Sequence, residues 1–281
     1  MCLLLVSAAC GQRHVTPPLF DTPFGVAIGD APLTGEQLGA LGPLWYMDWS
    51  WLKPAVAGHQ RLYVVNCAEV EAYRERIPAA MKMSGASWWA LGNEPNDPTQ
   101  DNVTPAEYAE LYYIFEGWAG DAPRCGMLPA GIANADWRWA QEFRQAFFDR
   151  YGRYPKVDGW NIHNYILDPG MDPYDVDEFG RRIQAFRRWM EGIGDGEKPL
   201  FLTEYGVLYG SGCCDRPVDP PEKLQRFMIE STDWLLRSGD VQAWAWFATY
   251  TRLYNGSLMT QDGKLNELGR LYGRLARGDS Q

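Results

Sequence analysis

The chain of 281 residues carries 26 basic and 36 acidic side chains, a formal net charge of −10. That balance argues against nucleic acid and anionic membrane surfaces as partners, and the length suits one domain with an ample core. The only histidines are His14, His59 and His163, and no Cys-x-x-Cys pair accompanies them, which argues against a zinc hydrolase.

The first eleven residues, from Met1 to Gly11, form a short apolar run that closes on small residues and Cys10. They are read as the remains of an export signal of the bacterial lipoprotein type, with Cys10 as the modified residue. The run has less than half of the roughly 20 apolar residues that a membrane span needs, so no integral span is expected. Residues 12–21, with Pro17 and Pro18, read as a tether, which makes 1–21 leader and tether and 22–281 the folded domain. An extracellular or cell-surface location follows, and a monomer is expected.

Apolar strands then alternate with helices. Strands are expected at 24–29, 44–51, 61–67, 88–94, 125–133, 157–165, 199–206 and 241–247. Helices are expected at 71–83, from Thr104 onward, and at 137–151, 178–191, 221–237 and 265–275. Thr104-Pro105-Ala106-Glu107 supplies an N-cap, a proline at the first helical position and an acidic third position. Eight strands, with helices between most of them, predict a single (β/α)8 barrel of the α/β class, with its site at the C-terminal ends of the strands. An open doubly wound sheet would need a glycine-rich phosphate turn after its first strand, and none is present.

Two of these strands share a design. Trp88-Trp89-Ala90-Leu91-Gly92-Asn93-Glu94-Pro95 is an apolar run that ends in a carboxylate and is stopped by proline. Pro199-Leu200-Phe201-Leu202-Thr203-Glu204-Tyr205-Gly206 is a second apolar run that delivers a glutamate just before the chain turns. One such acid could merely cap the following helix. Two, about three βα units of roughly 30 residues apart, point to paired chemistry.

Together the two stretches resemble clan A of the glycoside hydrolases, retaining β-glycosidases built on a (β/α)8 barrel. The likeness runs through Asn93-Glu94-Pro95 at the end of the fourth strand and Thr203-Glu204-Tyr205-Gly206 at the end of the seventh. It implies Glu94 as the general acid and base, Glu204 as the nucleophile, and Asn93 as the partner of the sugar 2-hydroxyl. Loss of the charge of Glu204 on esterification would then switch its neighbour from proton donor to proton acceptor. Tyr165 resembles the tyrosine that orients the nucleophile, with His163 on its face by period two; a core tyrosine and a core histidine are equally open readings. Trp246 on the last strand resembles the aromatic floor of the central subsite, although Trp244 shares its face.

The aromatic stretch Trp45-Tyr46-Met47-Asp48-Trp49-Ser50-Trp51 is similar to the second strand of glycoside hydrolase family 128, which acts on β-1,3-glucans, and adds Trp49 to the substrate-binding set. A tryptophan precedes the Asn-Glu-Pro of that family where this chain has Gly92, so families 5 and 39 stay open. The expected partner is a neutral β-linked glycan, best a β-glucan, and neither cofactor nor metal is expected. The alternatives are a catalytically inactive carbohydrate-binding barrel, or a clan A enzyme acting on a xylan or mannan. A Ser-His-Asp hydrolase is disfavoured because no Gly-x-Ser-x-Gly elbow occurs. Cys67 and Cys125 read as buried apolar residues, and Cys213-Cys214 as a disulfide or loop staple permitted by export.

Overall fold

Gly25 and Gly126 stand where two indoles cross the middle of the molecule. A Cβ built at Gly25 would lie 2.3 Å from Trp45 Cε2, and one at Gly126 would lie 2.5 Å from Trp88 Cε3. The absence of those side chains lets Trp45 and Trp88 fill the space enclosed by the sheet together with Leu62, Val64, Ala90, Leu128, Phe201, Ala243 and Ala245. Such alternation of large and small residues packs the interior of a closed sheet instead of leaving a pore.

The computed structural model describes residues 14–122, 124–208 and 220–279. Cys10, Cys213 and Cys214 lie outside them. The strands are β1 (Phe24–Ala27), β2 (Trp45–Met47), β3 (Leu62–Val65), β4 (Ser87–Leu91), β5 (Cys125–Leu128), β6 (Trp160–Asn164), β7 (Leu200–Tyr205) and β8 (Ala243–Phe247). One parallel ladder runs β2-β1-β8-β7-β6 and a second runs β3-β4-β5. Isolated parallel bridges, Tyr46 with Arg61 and Ile132 with Ile162, join the two ladders at both seams. The strands therefore follow one another in sequence order around the sheet, as the alternating pattern predicts.

The helices are α1 (Gly35–Ala40), α2 (Glu69–Ala72), α3 (Arg76–Met83), α4 (Pro105–Gly120), α5 (Trp137–Tyr151), α6 (Val176–Gly192), α7 (Pro221–Ser238) and α8 (Glu267–Arg277). Their apolar faces bury the outward side chains of the strands. α4 begins with the expected capping box: Thr104 Oγ1 accepts from Glu107 N at 3.3 Å, and Glu107 Oε2 accepts from Thr104 N at 2.8 Å. The single helix expected over 71–83 is two pieces, because Pro78 has no N–H to give and its ring clashes with a preceding turn. The helix restarts at Arg76, which places Pro78 in a first turn where the missing donor costs nothing. α1 was not foreseen, although Thr34 and Gln37 form a second capping box.

The tether expected up to Asp21 is packed from His14 onward. Both Asp158 carboxylate oxygens lie within 3.0 Å of His14 Nε2, and Trp88 Nε1 donates to Pro18 O at 2.9 Å. Phe20 stacks on Trp45 with ring centres 4.5 Å apart. These partners sit at the N-terminal ends of the strands, so this segment seals the barrel floor opposite its C-terminal mouth. Among the described residues no helix is long and apolar enough to cross a membrane.

Candidate active site

Strict alternation along β7 would send Glu204 outward with Leu200 and Leu202, whose side chains lie in the layer under the helices. The register against β6 shifts at this point: Ile162 pairs with Leu202, but His163 pairs with Glu204 and passes over Thr203. A bulge of this kind re-aims the side chain that follows it. Thr203 and Glu204 both turn inward, and Tyr205 returns to the outer layer.

Glu94 reaches the same space by another route. Gly92 (φ 91) and Glu94 itself (φ 45) are left-handed, and the chain bends sharply before Pro95. One carboxylate oxygen of Glu94, one of Glu204 and a ring nitrogen of His163 all lie within 4.8 Å of one another. That spacing could hold a cation, and hydrogen bonds also link the three groups. His163 Nδ1 is 2.8 Å from Glu94 Oε1, and His163 Nε2 is 3.1 Å from Thr203 Oγ1 and 3.5 Å from Glu204 Oε1.

Glu204 is held from two further sides. Trp49 Nε1 donates to Oε1 at 2.6 Å, and the Tyr165 hydroxyl donates to Oε2 at 3.0 Å. Burial raises the pKa of Glu204; His163 opposes that rise, Glu94 adds to it, and the two donors oppose it, with a net shift upward. Burial also pushes Tyr165 well above the ordinary phenol range, as do the charges of Glu204 and Glu94, so it stays a donor. Burial alone would lower His163, yet the charge of Glu204 and the hydrogen bond and charge of Glu94 hold it above its usual value.

The pair opens into a cavity of about 550 Å³ at the C-terminal mouth of the barrel. One wall is polar, with Asn93, Asp97, Thr99 and Gln100 from the loop after β4 and Asn134 from the turn after β5. The other is apolar and centres on Phe247, whose ring lies 5.7 Å from Trp49, 6.3 Å from Tyr165 and 5.9 Å from Tyr254. Among the described residues, the non-glycine residues with positive φ are Trp49, Glu94, Asn102, Asn134 and Ala135, all beyond the C-terminal ends of β2, β4 and β5. Each costs on the order of 1–3 kcal/mol and persists only where its surroundings over-determine it, a pattern that gathers at functional sites.

Glu94, Glu204, Asn93, Tyr165 and Trp49 thus converge on one cavity. The Asn93 backbone N–H donates to Asp101 Oδ2 at 2.7 Å, and its amide meets Gln100 Oε1 at 3.2 Å. Two expected binding residues need correction. His163 is buried beneath the carboxylates and does not line the cavity. Trp246 is fully buried on the outer face of β8, where its ring lies 5.2 Å from Tyr205 and Nε1 donates to Gly256 O. Trp244 shares that outer face, because the inward positions of β8 are Ala243, Ala245 and Phe247. The aromatic wall is therefore Phe247, one residue out of step with the expectation.

Sequence reasoning also missed Thr203 and Asn161. Thr203 Oγ1 donates to Asn161 Oδ1 at 2.7 Å, so it accepts from His163 Nε2–H. The proton on Nε2 is thereby fixed, and Nδ1 faces Glu94. Asn161 shares the period-two face of His163 and Tyr165, a signal present in the strand pattern. Cys67 and Cys125 are free and buried, as expected, and burial raises both thiols, which keeps them unreactive.

A family model described as the glycosyl hydrolase catalytic core matches residues 39–272. No sequence among curated proteins matches the chain. Solved structures with a similar fold include a family 128, subgroup I endo-β-1,3-glucanase from Amycolatopsis mediterranei in complex with laminaritriose: 21% identity, 90% of this chain and 99% of that one covered, TM-score 0.68. A subgroup II endo-β-1,3-glucanase from Pseudomonas viridiflava is 24% identical, with 89% and 96% covered and a TM-score of 0.64. A subgroup III curdlan-specific exo-β-1,3-glucanase from Blastomyces gilchristii, in complex with glucose, is 19% identical, with 89% and 97% covered and a TM-score of 0.68. Identities in this range establish a shared fold.

Proposed function

The chain belongs to the glycosyl hydrolase catalytic core family, and from that premise we propose that it is a retaining β-glycoside hydrolase acting on a neutral β-linked glycan, in the first place β-1,3-glucan. The observation that carries the reading is the separation of the two carboxylates, with one oxygen of Glu94 and one of Glu204 within 4.8 Å. Retaining enzymes hold their carboxyl groups about 5–5.5 Å apart and inverting enzymes about 6.5–9.5 Å, because only the latter must fit a water between the general base and the sugar.

In this reading Glu204 attacks the anomeric carbon while Glu94 gives a proton to the departing glycosidic oxygen. Trp49 and Tyr165 present the Glu204 carboxylate to the sugar, and each donates to a different oxygen. Water then enters, Glu94 takes its proton, and the ester to Glu204 is hydrolysed with the β configuration restored. No cofactor or metal takes part in either step. Phe247, Tyr254 and Trp49 offer ring faces to the apolar faces of a glucan, and Asn93, Gln100 and Asn134 offer amides to its hydroxyls. The β-1,3 linkage is favoured because the three fold relatives are β-1,3-glucanases.

We further propose export and attachment through Cys10. His14 lies against Asp158 on the barrel floor, so an anchor just ahead of it would leave the cleft facing away from the surface that holds it. The test of activity is hydrolysis over a panel of laminarin, curdlan, xylan and mannan, with the first product followed by NMR before mutarotation. Release of β-configured laminari-oligosaccharides is the expected result. An α anomer would overturn the retaining mechanism, and hydrolysis of xylan or mannan alone would overturn β-1,3-glucan as the substrate.

A further inference from the structure

Trp49 places a bulky side chain in the left-handed region, with φ 47. A large residue adopts that conformation only where its surroundings impose it. Here they are held by one buried cation. Arg61 donates from Nη2 to Asp48 Oδ1 at 2.6 Å and to Ser50 O at 2.7 Å, and from Nη1 to Lys53 O at 2.6 Å. The guanidinium therefore grips the residues immediately before and after Trp49. Its carbon lies 4.8 Å from the centre of the Tyr63 ring, and the Arg61 and Asp48 side chains are 2% and 6% exposed. On the other side, Asn66 Nδ2 donates to Trp49 O at 3.4 Å. The outcome is an indole N–H aimed at Glu204 Oε1.

We propose that Arg61, paired with Asp48, is a positioning residue for the nucleophile and acts on Glu204 through Trp49. The proposal rests on the reading of Glu204 as nucleophile. A buried ion pair is by itself weak evidence of a stabilising role, and this one fixes a corner whose other product is a short hydrogen bond to a carboxylate. Asp48 neutralises the cation, so the influence on Glu204 is geometric. A lysine could not reproduce it, because an ammonium lacks the planar fork that reaches three separate acceptors at once.

The test compares Trp49→Phe, Arg61→Lys and the double variant on laminarin, with melting temperatures as a check on folding and Asp48→Asn as the second probe of the clamp. Loss of the indole donor removes a hydrogen bond to a charged group, and kcat is expected to fall roughly 10- to 100-fold. The charged form of Glu204 loses support, so the acid limb of the pH profile moves to higher pH. Arg61→Lys and Asp48→Asn should move both quantities in the same direction. In the Trp49→Phe background Arg61→Lys should cost less than about threefold further, because coupled residues are not additive. Equal losses in both backgrounds, or an acid limb that stays in place while the melting temperature drops, would overturn the proposal.

A reading without substrate separates this inference from the assigned activity. His163 Nε2 lies 3.5 Å from Glu204 Oε1, so the imidazole titration followed by NMR reports the charge there. Trp49→Phe and Arg61→Lys should both lower its midpoint, and an unchanged midpoint in Arg61→Lys rejects the clamp. Failure of the wild-type protein to hydrolyse any glycan would reject the functional reading and leave that titration to judge Arg61.

Discussion

His163 Nδ1 lies 2.8 Å from Glu94 Oε1, and because Thr203 accepts from Nε2–H, Nδ1 is the ring nitrogen at which the imidazole gains or loses its proton. Two titrations then bound the working range. Glu204 must be ionised to attack, and its pKa is raised, so the rate falls as pH drops through a value above that of an ordinary glutamate. His163 is raised too, so its proton is lost only above the usual histidine range. The plot of kcat/KM against pH should be a bell with both limbs displaced upward. Thr203→Val removes the partner of Nε2–H and should change the basic limb with little effect on KM; an unaltered limb would show that the tautomer is fixed by other means.

Glu94 and Glu204 should fail differently when removed. Glu204→Gln leaves no nucleophile and should abolish turnover of every substrate. Glu94→Ala should lower hydrolysis of laminarin by roughly 10²- to 10⁴-fold, the usual worth of a general acid. It should largely spare formation of the glycosyl-enzyme from an aryl glycoside whose leaving group needs no proton. The check is a single-turnover comparison of the two substrates, and equal losses on both would reassign Glu94.

The eight alternating segments and both glutamates were legible because each is encoded locally, by apolar runs ending in an acid beside a proline or a turn. The direction in which Glu204 points was not. Period two sends it outward, and only the bulge at Thr203, set by pairing with β6 across the sheet, turns it in. Phe247 and Trp246 illustrate the same gap. The resemblance to the clan suggested the tryptophan, whereas the small inward residues Ala243 and Ala245 on the same strand carried the correct phase. The Arg61 clamp was invisible because its acceptors, all in the loop after β2, come together only in the folded chain.

That difference in phase gives a paired prediction. Trp246→Ala empties a fully buried site among Tyr205, Phe227 and Tyr272 and should destabilise the protein by about 3–5 kcal/mol. Its KM for laminarin should hold at temperatures where it remains folded. Phe247→Ala removes a half-buried ring at the cavity wall, so it should raise KM several-fold at a much smaller cost in melting temperature. The reverse assignment of KM and stability effects would restore Trp246 as the binding residue.

Asn134 offers a test in which backbone and side chain can be separated. It sits at φ 57 and ψ 26 in the turn after β5, exposed to the cavity. The turn is docked by Asn96, whose Nδ2 donates to Ala133 O at 3.1 Å and whose Oδ1 accepts from Ala133 N at 2.9 Å. Glycine adopts the left-handed region freely, so Asn134→Gly deletes the amide without adding strain, while Asn134→Ala deletes it and keeps a Cβ there. The glycine variant should melt close to the wild type and still show a raised KM for laminarin, with kcat little changed. The alanine variant should show the same KM and a melting temperature lower by the equivalent of about 1 kcal/mol. Wild-type KM in the glycine variant would mean that the amide contributes nothing to binding and that the turn matters only as a support for Ala133.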